Sequence, residues 1–148
     1  MRLRFPDDVR ESFLLHNGME EIAFFECYKL LPLEGVVQFW KLAEFGLDAL
    51  QAQSYPNILA SEPEGPVKNQ MWNLLWIPVL EAEAERVLID LDPAPGGTTG
   101  QVFDTCGGAP SRVLGTSYRE FLSQYANDLE AGEYAFDPQA WCITRVKK

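Results

Sequence analysis

Arg86-Val87-Leu88-Ile89-Asp90-Leu91-Asp92-Pro93-Ala94-Pro95-Gly96-Gly97-Thr98-Thr99-Gly100-Gln101-Val102-Phe103-Asp104 is the stretch whose reading decides the fold. Val87, Ile89 and Leu91 alternate with Leu88 and Asp90, which is the period of a strand with two distinct faces. Pro93 to Gly97 cannot lie inside a strand or a helix, so the chain turns there. Gln101-Val102-Phe103-Asp104 then resumes a strand. Upstream, Trp72–Leu80 is another β-rich run, and downstream Arg112–Gly115 supplies a further short strand.

Helices flank this meander on both sides. Downstream, Ser117 and Glu120 form the S-x-x-E capping pattern ahead of a helix ending at Gly132. Its stripe of Phe121, Leu122, Tyr125 and Leu129 is expected to be buried. Upstream, Pro6 and the acids Asp7 and Asp8 start a short helix over Asp7–Leu15, and Asn17-Gly18 stops it. A strand is expected around Phe24–Leu31, after which Pro32 opens a second helix. Leu33, Val36, Val37, Trp40, Ala43 and Leu47 are expected to form its buried stripe. Residues 54–69, rich in proline and glycine, read as loop. Helices, then a strand meander, then a closing helix argue an α+β fold and not an alternating parallel one.

The 148 residues amount to one domain, spanning 1–148, and 47% of them are hydrophobic, enough for a packed core. Twelve basic against 22 acidic side chains leave a net charge of −10. Residues 1–74 and 75–148 each carry 6 basic and 11 acidic side chains, so the acidity is spread along the chain. A field of that sign repels nucleic acid and anionic membrane and attracts a basic protein surface. The first residues lack the apolar core of a secretory signal, and Leu74–Leu80 is too short to span a bilayer, which points to a cytoplasmic protein. Cys27, Cys106 and Cys142 form no C-x-x-C pair, and the plain expectation is three buried free thiols.

Asp90-Leu91-Asp92 is the pair of acids that most resembles a chemical site. Two residues apart on a strand, both side chains would share a face and a cation. The competing reading is that both acids brace the turn by accepting its backbone N–H groups. Gly96-Gly97-Thr98-Thr99-Gly100 is followed by strand and not by the helix N-terminus a phosphate cradle needs. His16 is the only histidine and sits at a helix end. With no nucleophile, base and oxyanion hole to assemble, the chain reads as a non-enzyme without cofactor or metal. Trp76, inside an apolar run, belongs to the core, whereas Trp72 follows Lys68-Asn69-Gln70 and is expected to be partly exposed.

Taken in order, several segments resemble the SUKH superfamily, the fungal cell-wall-assembly regulators and their bacterial relatives. They are Phe5-Pro6, Phe13-Leu14-Leu15-His16-Asn17-Gly18, Trp76-Ile77-Pro78, Val87 to Pro93, Gly100-Gln101-Val102 and Ser117 to Leu122. The resemblance runs from about Phe5 to Tyr134, leaving residues 135–148 as an extension expected to add an edge strand or a clasp. It implies a twisted, mainly antiparallel sheet with helices packed mainly on one side. It further implies a protein-binding role, for bacterial members the neutralisation of a toxin, often a nuclease. An acidic inhibitor complements the basic surface such a toxin needs. Asp90, Asp92, Asp104, Trp72, Glu62 and Glu64 are the candidate partner contacts. The alternatives are a small-molecule or metal-binding domain or hydrolase using the same acids, or a regulatory scaffold.

Overall fold

A computed structural model describes residues 3–19, 23–52 and 62–146. The order is α1 (Asp7–Leu15), β1 (Lys29–Leu30), α2 (Leu33–Ala52), β2 (Trp76–Ala82), β3 (Glu85–Asp90), β4 (Gln101–Cys106), β5 (Ala109–Gly115), α3 (Tyr118–Glu130), β6 (Tyr134–Asp137) and β7 (Cys142–Arg145). Strands β1 to β5 form one sheet in sequence order, every neighbour antiparallel. The fold is therefore α+β, a meander flanked by helices. No helix of the described residues is long and apolar enough to cross a membrane.

Both faces of the sheet are covered. On one, Ile77, Val79, Val87, Ile89 and Val102 pack with Val9 of α1 and with Tyr118, Phe121 and Tyr125 of α3. On the other, Trp76, Leu88 and Phe103 pack with Val67 and half-buried Trp72. A bulge between Pro78 and Leu80 lets Val79 and Leu80 both join the larger core, breaking strict alternation. The alternation read in Val87 to Asp90 thus feeds two cores, and all four residues are buried. Gly97 is required where the Pro/Gly turn folds back. A Cβ there would lie 2.6 Å from Pro93 Cβ and 2.9 Å from the Pro66 carbonyl.

The capping at α3 combines local and remote groups. Ser117 Oγ accepts the Glu120 N–H at 3.1 Å, and the Glu120 carboxylate accepts the N–H and hydroxyl of Thr116. Another first-turn donor, Arg119 N–H, reaches Asp8 Oδ2 of α1 at 2.9 Å. The two helices are thereby joined at an end where orphan donors need acceptors.

Several expectations need correction. Tyr118, Phe121 and Tyr125 form the buried line of α3; Leu122 is half-buried and Leu129 is 36% exposed, because the helix meets the sheet only along its first three turns. Along α2, Val36 is buried and Trp40 and Ala43 are half-buried, but Leu33 and Val37 are exposed. That helix leans on the sheet along one narrow line, fixed by the 2.8 Å bond from Trp40 Nε1 to the Leu74 carbonyl. The Leu47 side chain lies outside the described residues. The strand expected over Phe24–Leu31 shrinks to β1, because residues 24–28 form a tight turn with Glu26 and Cys27 at positive φ. The strand expected from Trp72 starts at Trp76, after a turn in which Asn73 Oδ1 accepts the Leu75 N–H.

The thiols also differ from expectation. Cys27 and Cys142 are joined by a disulfide with Cα atoms 5.1 Å apart, and Cys106 is exposed. The residues beyond the resemblance form the β6–β7 hairpin, a clasp. It is held to the Ala23–Cys27 segment by that disulfide, by Ile143 N–H on the Ala23 carbonyl, and by Tyr134 Oη donating to Glu26 Oε1 at 3.0 Å.

Candidate functional site

The two acids of the Asp90-Leu91-Asp92 motif part company because β3 ends at Asp90. Beyond a strand's end the rule that alternate residues share a face no longer applies. Asp90 is 0% exposed. Its Oδ1 accepts the Trp76 indole N–H at 3.0 Å and the Asp92 N–H at 2.9 Å, and its Oδ2 accepts from Gln101 Nε2 at 3.0 Å. Burial pushes its pKa up, opposed by those three hydrogen bonds. Gln101 extends the network, donating to the Pro66 carbonyl and accepting the Thr98 N–H. Asp90 therefore braces the turn from inside and is withdrawn as a surface contact.

The Asp92 side chain, unlike its N–H, lies outside that network, at the surface. Its Oδ1 accepts from Lys68 Nζ at 2.6 Å and its Oδ2 from Asn73 Nδ2 at 2.8 Å. Those two bonds, Lys68 first, hold its pKa below the usual carboxylate range. The effect is to pin the 62–73 loop over the smaller core. Ala94 N–H on the Pro66 carbonyl adds a second pin. A cation shared by Asp90 and Asp92 does not fit this arrangement, since each oxygen named already faces a donor. Among the described residues no group of three or more His, Cys, Asp or Glu side chains converges as a metal site would.

Asp104 is also buried, with 6% exposure, and accepts the Arg112 N–H and, at 2.8 Å, Arg112 Nε. Like Asp90, it is internal structure and no partner contact. Glu62 and Glu64 are exposed, and the Glu64 backbone runs alongside β5 through Ser111 and Val113. Trp72 is half-buried, its ring edge-on to Trp76 at 6.2 Å, and its buried indole N–H has no acceptor. The structure thus places Glu62, Glu64 and Trp72 on one loop, with Glu64 beside β5 and Trp72 beside Trp76 of β2, and Asp92 on the turn that pins it. His16 is exposed at the end of α1.

One acidic surface went unread in the sequence. An open cleft of about 650 Å³ is lined by Glu26, Cys27, Tyr28, Lys29 and the β2–β3 connection, including Glu81, Glu83 and Glu85. The signal was present as Glu81-Ala82-Glu83-Ala84-Glu85, a small-residue turn carrying three acids. Burial, followed by the charges of Asp104, Glu85 and Glu26, pushes the pKa of Tyr28 on this cleft to about 12.

The sequence profile of the SMI1 / KNR4 family (SUKH-1) matches residues 1–131. The cell wall assembly regulator SMI1 of Saccharomyces cerevisiae is 26% identical over 175 aligned residues, covering 90% of this chain and 34% of that protein. The cell wall biosynthesis/cell cycle regulator smi1 of Schizosaccharomyces pombe is 29% identical over 151 residues, covering 89% of this chain and 29% of its own length. The chain spans about a third of the length of these curated relatives.

Proposed function

The chain belongs to the SMI1 / KNR4 family (SUKH-1), whose membership supports a protein-binding or regulatory role, and from that premise we propose that it is a non-enzymatic, immunity-type inhibitor. It binds a basic toxin domain and covers the surface with which that toxin holds its substrate. The carrying observation is the pairing of a −10 charge with exposed Glu62 and Glu64 on a loop braced from within by Asp90 and Gln101. A pre-organised acidic loop loses little conformational freedom on binding. Trp72 and Asp92 are the neighbouring contacts. On this proposal it acts in the cytoplasm and uses no cofactor.

A regulatory scaffold is the second reading, favoured by the names of the two fungal relatives. Co-expression with a toxin domain, should the neighbouring reading frame encode one, separates them. Immunity predicts restored growth, and stopped-flow mixing predicts an on-rate that falls steeply between about 0.05 and 0.5 M salt, as screening shortens the reach of charge. Glu62→Lys with Glu64→Lys slows association similarly. No rescue and no complex with that domain would overturn immunity and leave the scaffold. A complex whose on-rate ignored salt and charge reversal would overturn the electrostatic mechanism.

A further inference from the structure

Beyond the acidic loop, the C-terminal hairpin carries a surface with no task in the fold. Phe136 is 45% exposed and Trp141 59% exposed, and their rings meet edge to face with centroids 5.4 Å apart. Two adjoining aromatic rings held in water are costly unless something covers them. Trp141 also adopts φ 54°, in the left-handed region that bulky side chains avoid. Among the described residues four non-glycines adopt positive φ: Glu26, Cys27, Glu83 and Trp141. Glu26, Cys27 and Glu83 line the 650 Å³ cleft, and Trp141 immediately precedes Cys142, the disulfide partner of Cys27. The hairpin lies outside residues 1–131 that carry the family match.

We propose that the Phe136–Trp141 face and the glutamate-walled cleft, tied to each other through the Cys142–Cys27 disulfide, together seat an extended, Lys/Arg-bearing segment of a protein partner. The occupant follows from charge complementarity: four acids, Glu26, Glu81, Glu83 and Glu85, line the cleft against one lining cation, Lys29, and although Arg112 reaches Glu26 at the rim and Glu85 accepts from Thr105 and Gly107, Glu81 and Glu83 add to an acidic excess. Aliphatic stems of lysine and arginine cover aromatic rings while their charged heads reach carboxylates. The aromatic pair supplies contact area at low entropic cost, and the acids select the sign of the partner. The inference rests on the protein-binding reading but assigns a surface distinct from the Glu62–Asp92 loop.

The test uses the full chain, 15N-labelled, titrated with a synthetic peptide of repeating Lys-Ala-Arg-Leu and with its Glu-for-Lys/Arg counterpart. The basic peptide is expected to shift the Trp141 indole and the amides of Phe136, Cys27 and Glu83. Trp141→Ala or Phe136→Ala weakens binding about tenfold. Glu81→Lys with Glu83→Lys weakens it about fivefold at low salt, an effect lost near 0.5 M where the Debye length is roughly 4 Å. Shifts confined to Trp72, Glu64 and Asp92, with the aromatic variants binding normally, overturn this seat and leave the basic-partner reading intact. Equal binding of the acidic peptide overturns the charge assignment. No binding of either peptide overturns the seat, whereas failure to bind the cognate toxin as well defeats the partner reading.

Discussion

Removing the Asp90 carboxylate tests whether the turn is held from inside. In Asp90→Ala the Trp76 indole N–H loses its acceptor at a residue 1% exposed, while Gln101 Nε2 keeps the Pro66 carbonyl. An orphaned buried donor costs about 1–3 kcal/mol and each further lost hydrogen bond about 0.5–1.5 kcal/mol. With the Asp92 N–H and Gln101 Nε2 bonds also lost, the sum is roughly 2–6 kcal/mol, a large share of the approximately 5–15 kcal/mol that holds an ordinary domain together. Urea unfolding followed by circular dichroism reads this loss as a lower midpoint at unchanged slope. Asp90→Asn is milder, about 1–3 kcal/mol, because one carbonyl oxygen remains while its amide faces Gln101 Nε2. Its pH dependence has a definite sign. Burial raises the folded pKa of Asp90 above the unfolded value, so its contribution is present in full below about pH 3.9 and is lost as pH rises through the folded pKa. The gap between wild type and Asp90→Asn should therefore be widest in acid and narrow on raising pH. A loss under about 1 kcal/mol for Asp90→Ala would refute the buried network, and a gap that widens with pH would refute burial as the larger influence on this carboxyl.

Two further predictions concern packing and the thiols. Phe121→Ala should cost about 3–5 kcal/mol in the same assay, whereas Leu129→Ala, at a residue 36% exposed, should cost under about 1 kcal/mol, and equal losses would misplace the buried face of α3. Unfolded without reductant, the chain should show one titratable thiol, Cys106, and Cys27→Ser with Cys142→Ser should lower stability by about 2–4 kcal/mol; three titratable thiols would refute the clasp.

What the sequence disclosed follows from the range of the forces involved. Helices α1 and α3 and strands β3 and β4 were legible nearly to their ends, because capping, alternation and the Pro/Gly turn are written within a few residues. Burial of whole faces was not. Leu33 and Val37 continue the apolar period of α2 yet remain in water, since period fixes which residues align and not how wide a surface waits opposite. The Cys27–Cys142 link joins residues 115 apart in sequence, a closure no local spacing encodes.

The candidate site divides along the same line. Asp90 and Asp92 are the same residue type two positions apart, and composition assigns both to the acidic surface. One hydrogen bond, from the Trp76 indole 14 residues upstream, and one strand ending separate them. The first acid becomes a buried acceptor that shapes the loop, and the second stays outside and pins it through Lys68. Asp104 repeats the internal role through Arg112, which also reaches Glu26 at 3.3 Å on the rim of the acidic cleft. Arg112 thus links the sheet interior to the segment that the C-terminal hairpin grips. The buried carboxylates organise loops that carry acids and aromatics on their outer faces, so in the proposed binding surface interior carboxylates set the shape and exterior charge the sign.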